Sequence, residues 1–172
     1  SGNPLAVAAG ITTLALLAFA TPSAGELEEI TSSLFDVVPP ASGPGVLHYF
    51  AGAAWADVDG DDWPDLFVTD YYGINRLYLN VPAPPLAPGP SRMLMFVPFA
   101  IDGDPLGKGE GAVFADFDND GDPDLYVTNQ GGSPNHLYEN SGGIFVDVSG
   151  SSGAAHPGMG EGCTVADYDG DC

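Results

Sequence analysis

Basic side chains are almost missing from this chain: Arg76, Arg92 and Lys108 are the only three in 172 residues, against 24 acids and a formal net charge of −21. Three cations cannot neutralise a phosphate backbone, so nucleic acid is a poor partner, and an anionic membrane surface is disfavoured for the same reason. Cysteine is also scarce. Cys163 and Cys172 are too few for a disulfide scaffold and lack zinc-site spacing, although a bond between the two stays open. No Asn-x-Ser/Thr acceptor exists, so N-glycosylation has no site. The histidines His48, His136 and His156 share no pattern with a Ser or Cys nucleophile, and no enzyme chemistry is expected. Apolar material, by contrast, is plentiful. Hydrophobic residues make up 44% and aromatics 10%, too much for a disordered acidic chain. With Gly 24 and Pro 16, the chain reads as one or two folded domains rich in turns and poor in long helices.

The acids are concentrated. Thirteen of the 24 fall in three short segments, Asp57 to Asp65, Asp116 to Asp124 and Asp167 to Asp171. The first two segments share one pattern: Asp at i, i+2, i+4 and i+8, Pro at i+7, and an apolar residue next. Carboxylates this crowded repel one another unless a cation sits among them. Hard oxygen donors in a flexible loop select calcium, while magnesium gives up water reluctantly and demands strict octahedral geometry. The expected calcium ligands are Asp57, Asp59, Asp61 and Asp65 with the Trp63 backbone carbonyl, and Asp116, Asp118, Asp120 and Asp124 with the Asp122 backbone carbonyl. Asp167, Asp169 and Asp171 carry the start of a third loop. An EF-hand is rejected, because loop position 12 is Val68 or Val127 where a bidentate Glu is needed, and the flanks read as strands.

The repeat extends beyond the acids. Gly107-Lys108-Gly109-Glu110-Gly111-Ala112 before loop two matches Gly158-Met159-Gly160-Glu161-Gly162-Cys163 before loop three. Asn75-Arg76-Leu77-Tyr78-Leu79-Asn80 after loop one matches Asn135-His136-Leu137-Tyr138-Glu139-Asn140 after loop two. Phe145-Val146-Asp147-Val148 echoes Leu34-Phe35-Asp36-Val37. The loops start 59 and then 51 residues apart, and an insertion at Val81 to Ser91, read as a Pro-rich extended linker, accounts for the difference. Each unit holds four short β-like runs, in unit two at 112–115, 124–128, 136–139 and 144–148. Four short strands joined by Gly/Pro/Asn turns describe a propeller blade or a comparable antiparallel sheet.

These units resemble FG-GAP/VCBS-type repeats, as in integrin α-chain propellers. They are most similar to the secreted cartilage-acidic-protein and UnbV-like group, in which a run such as Asp124-Leu125-Tyr126-Val127-Thr128-Asn129 follows the acidic loop. The resemblance covers residues 34–172. It implies calcium on the named aspartates, an extracellular β-propeller used for adhesion or scaffolding, and no shared enzyme chemistry. The expected fold is mainly β, about two and a half blades, preceded by an apolar helix. A closed propeller needs at least four blades. Continuation of the chain past Cys172, or completion by other copies, is therefore expected.

Leu5 to Ala20 is sixteen residues without a charge. It is short for a membrane span and suits a signal-peptide core, but no basic segment precedes it. A retained helix, apolar all round, must be buried. Burial between copies in a filament or oligomer is the leading expectation, with a membrane anchor or docking on its own domain as alternatives. Ser23 to Glu26 has capping-box spacing, so a second short helix is expected to about Ser33. The expected division is 1–33 helical, 34–45 strand and Pro/Gly linker, 46–100 repeat one, 101–148 repeat two and 149–172 the start of repeat three. The functional expectation is a non-enzymatic, calcium-stabilised extracellular subunit that self-assembles. The alternative is an adhesion module on a longer propeller with a glycan or cell-surface protein ligand; Trp55, Trp63, Tyr71 and Tyr72 could stack on a sugar, though core packing or loop cover suits them better.

Overall fold

A computed structural model describes residues 18–19, 27–28, 52–83, 91–98, 100–101 and 108–168. The chain divides into two units, Ser1–Val38 and Pro39–Cys172. In the first, β1 (Ala18–Phe19) pairs antiparallel with β2 (Leu27–Glu28). This corrects the helical reading at those four residues. Pro22, which lacks an N–H, and Gly25 stand between the strands in sequence and disfavour a helix through them. The rest of both predicted helices, and the predicted strand at 34–37, lie outside the described residues.

The second unit holds two four-stranded antiparallel sheets. Sheet one runs in the order β3 (Ala53–Ala56), β4 (Asp65–Val68), β5 (Arg76–Pro82), β6 (Arg92–Val97). Sheet two repeats it with β7 (Gly109–Ala115), β8 (Asp124–Asn129), β9 (His136–Ser141) and β10 (Ile144–Asp147). The four predicted runs of unit two fall on these strands, except that Val148 lies just past β10. A single turn of helix, α1 (Ser149–Ser152), follows β10. In each sheet an acidic loop joins the first strand to the second.

Alternation along the strands sorts the side chains. In β4, Phe67 faces one side with its partner Leu77, while Leu66 faces the other with Tyr78. Val58, Phe67, Leu77, Ile101, Leu125, Val127 and Tyr138 form one buried cluster drawn from both sheets. Phe114 joins them, edge-on to Phe67 with ring centroids 6.4 Å apart. At ~25 cal/mol per Å², burial of such apolar surface is the main term holding the sheets together.

The unequal repeat length has a structural cause. In sheet two, β9 turns into β10 through Gly142 and Gly143 alone, with Ser141 opposite Ile144. In sheet one the same hairpin is longer. Val81 and Pro82, read as linker from the sequence, extend β5 and pair with Met93 and Arg92. Ala83 then donates its N–H to the Ser91 carbonyl, and residues 84–90 lie outside the described residues. Pairing continues because Pro82 sits at the strand end, where a missing N–H costs little.

Candidate metal centres

Loop one leaves β3 at Ala56 and enters β4 at Asp65; loop two joins β7 to β8 in the same way. In each, three side chains from alternate residues converge. One carboxylate oxygen from each of Asp57, Asp59 and Asp61 lies within 4.8 Å of the others, and Asp116, Asp118 and Asp120 do the same. The loop backbone explains the convergence. The residues at i+3 and i+5 are left-handed in both loops: Gly60 (φ 76°) and Asp62 (φ 68°), then Asn119 (φ 63°) and Gly121 (φ 100°). Gly, Asn and Asp are the residues that adopt this conformation at least cost.

The first aspartate of each loop shapes the turn. Asp57 Oδ1 accepts the N–H groups of Gly60 (2.9 Å) and Asp61 (3.0 Å), and Oδ2 that of Asp62 (2.7 Å). Asp116 accepts from Asp120 (3.1 Å) and Gly121 (3.0 Å). Trp63 and Asp122, expected to offer carbonyls, donate their N–H to the carboxylates of Asp61 (3.0 Å) and Asp120 (2.9 Å).

Asp65 and Asp124 stand apart from the triads. Both are buried, and both spread their two oxygens between backbone donors. Asp65 accepts from Val58 (2.9 Å) and Asn80 (2.8 Å), and Asp124 from Phe117 (2.8 Å) and Asn140 (2.9 Å). They tie the start of each loop to the third strand of its sheet. Asp167 is exposed near the end of the described residues, and Asp169 and Asp171 lie outside them.

The electrostatics match the crowding. Desolvation, and then the negative charges of Asp120, Asp124 and Asp116, push the Asp118 carboxyl above its ordinary range, against the Asp120 N–H that it accepts. Burial raises the Asp65 carboxyl, opposed by its hydrogen bonds from Asn80 and Val58, with Asp59 and Asp61 adding to the rise. Three convergent oxygens with no nitrogen or sulfur donor suit a hard cation such as calcium. Asp57, Asp59 and Asp61, or Asp116, Asp118 and Asp120, would hold it. The cation would supply the positive charge that these carboxylates otherwise lack.

Several working residues carry no acid signal. Thr69 Oγ1 accepts the Gly52 N–H (2.7 Å) and lies 3.1 Å from the Glu110 carbonyl of the next sheet. Thr128 repeats this with Gly111 N–H (2.9 Å) and the Glu161 carbonyl (2.5 Å). The glycines are required by space: a Cβ on Gly52 would lie 2.3 Å from the Glu110 oxygen, and on Gly111 2.5 Å from that of Glu161. Their signal was the repeated Gly-Ala before each of the first two loops and the Thr four residues after the last aspartate of each. Arg92 is the other addition. Its Nη2 lies 3.0 Å from Asp61 Oδ2 and its Cζ 4.2 Å from the Trp63 ring centroid. Of the residues weighed for sugar stacking, Trp63 thus lies under Arg92, and Tyr71 meets Tyr72 edge-on at 4.8 Å. Cys163 is a half-buried free thiol whose pKa burial pushes up, and Cys172 lies outside the described residues.

Comparison with curated proteins gave no match. The family model described as FG-GAP-like repeat matches residues 57–127 and 116–172. Each matched stretch opens on the first aspartate of a loop, and together they span more than half of the chain. With the acidic loop between first and second strands present twice on the same four-stranded plan, the chain belongs to the FG-GAP-like repeat family.

Proposed function

We propose that this protein is a calcium-stabilised, non-enzymatic module of propeller-type blades that works outside the cell as a structural or binding element. The observation that carries the reading is the duplicated triad: three carboxylate oxygens within 4.8 Å of one another at the same place in two successive sheets. Solvent-exposed ligands on short loops suit the weak affinities of extracellular calcium modules, about 10⁻⁴–10⁻³ M. The low count of basic residues supports a protein or glycan partner over a polyanion. Among the described residues no helix is long and apolar enough to cross a membrane. Self-assembly through the uncharged stretch Leu5 to Ala20 is the second part of the proposal, supported by its composition alone.

The test is thermal unfolding with and without calcium. A ligand bound only by the native state at a hundred times its Kd adds about 2.7 kcal/mol per site. Two filled loops should therefore raise the melting temperature by roughly 10 °C or more over the chelated protein. A melt that EDTA leaves unchanged would refute the calcium reading.

A further inference from the structure

The two loops have the same acids but not the same charge environment. We infer that Arg92 makes loop one the weaker of two unequal calcium sites by holding a fixed positive charge on Asp61, an inference that rests on the calcium reading above. The guanidinium sits 3.0 Å from Asp61 Oδ2, one of the three convergent carboxylates. It is anchored on three sides. Nε donates to Asn80 Oδ1 at 3.0 Å, Nη2 donates to the Asn80 carbonyl, and Cζ lies over the Trp63 ring. An arginine held in this way is not free to swing out when a cation enters, so the incoming ion meets a carboxylate already paired and a like charge beside it.

Among the described residues loop two has no such counter-charge. The remaining cations are engaged elsewhere: Arg76 lies 3.1 Å from Asp70, and Lys108 Nζ lies 3.3 Å from the Gly131 carbonyl. The difference follows from hairpin length. In sheet one the long β5–β6 hairpin brings Arg92 opposite Pro82, level with the loop. In sheet two the short Gly142-Gly143 turn occupies that level, and Gly142 gives Asp122 Oδ2 a neutral N–H donor at 2.8 Å. Calcium should thus fill loop two first and loop one at higher concentration.

Calorimetric titration of the full chain with calcium tests this. The wild-type protein is expected to show a tighter phase lost in Asp118→Asn and a weaker phase lost in Asp59→Asn. Arg92→Gln should tighten the weaker phase by about tenfold, the low end of what one adjacent charge does to the ionisation of a carboxylate. Arg92→Lys, which keeps the charge, should leave that phase weak. Arg92→Met, which keeps an apolar stem over Trp63, should tighten it as Gln does, and an unchanged loop-two phase in the same titration shows that each variant is folded. Equal affinities in the wild-type protein, or a loop-one phase that Gln and Met do not tighten, would overturn the inference while leaving the calcium reading in place. Absence of binding at both loops would remove the two together.

Discussion

Asp124 accepts the Phe117 N–H at the start of loop two and the Asn140 N–H on β9, with its side chain buried. An asparagine there would keep the size but turn an NH₂ group toward one of two backbone donors. Asp124→Asn should cost about 1–3 kcal/mol, the penalty of one unsatisfied buried donor, read as a lower urea midpoint in chelated protein. A second carboxylate makes a pH prediction. Burial pushes Asp147 up, but hydrogen bonds from the Ser149 hydroxyl and N–H, and then His136, bring it below its ordinary 3.8. A depressed acid stabilises the fold fully above the unfolded value and loses that contribution as pH falls through the folded one. The Asp147 contribution should therefore be lost below about pH 4, seen as a stability gap between the wild type and Asp147→Asn that narrows as pH falls through that range. The triads were legible at this scale, because alternate spacing combined with Gly, Asn or Asp at the left-handed positions brings Asp57, Asp59 and Asp61 to one side of a turn. Asp65 was not fully legible: calcium and a pair of backbone N–H groups both demand carboxylate oxygens, and spacing does not separate them. Arg92 was hidden because it lies 31 residues from Asp61 and reaches it only through the length of a hairpin.

First strands β3 and β7 belong to different sheets, yet the backbone of one lies almost against the other. The β7 register shifts between Gly109 and Gly111, which leaves Glu110 as an extra residue whose carbonyl meets Thr69. Gly111→Ala would drive a methyl group into the Glu161 carbonyl and the Thr128 hydroxyl, at 2.5 and 2.9 Å. It should destabilise the protein by about 1–3 kcal/mol, the usual cost of overpacking, and Gly121→Ala, with nothing within 4 Å but a φ of 100°, separates backbone strain from crowding. Equal unfolding midpoints for Gly111→Ala and the wild type would show that β7 and the segment at Glu161 can part without cost. Strands were readable from apolar runs bounded by Gly, Pro and Asp, and the extra length of unit one was readable from unequal spacing. Ala18–Phe19 and Leu27–Glu28 were misread, since Ala- and Leu-rich composition favours helix locally while pairing between two segments overrides it. Nor did spacing reveal the Thr69 and Thr128 bridges, which join residues far apart in sequence.

A net charge of −21 with three basic residues strains the whole molecule as well as its loops. Monovalent salt should raise the melting temperature of the chelated protein by a few degrees through screening. The same salt should add less once calcium is present, because bound cations already offset part of the repulsion. A salt response that calcium leaves unaltered would separate the loops from the global charge. The threonine bridges carry a different consequence, for the order of events during synthesis. Thr69 completes its bonding with Glu110, 41 residues further along the chain, and Thr128 with Glu161, 33 residues further along. A ribosome must therefore release the opening residues of the following unit before the threonine of the preceding one meets this acceptor, so each unit gains its last bond only from polypeptide still to come.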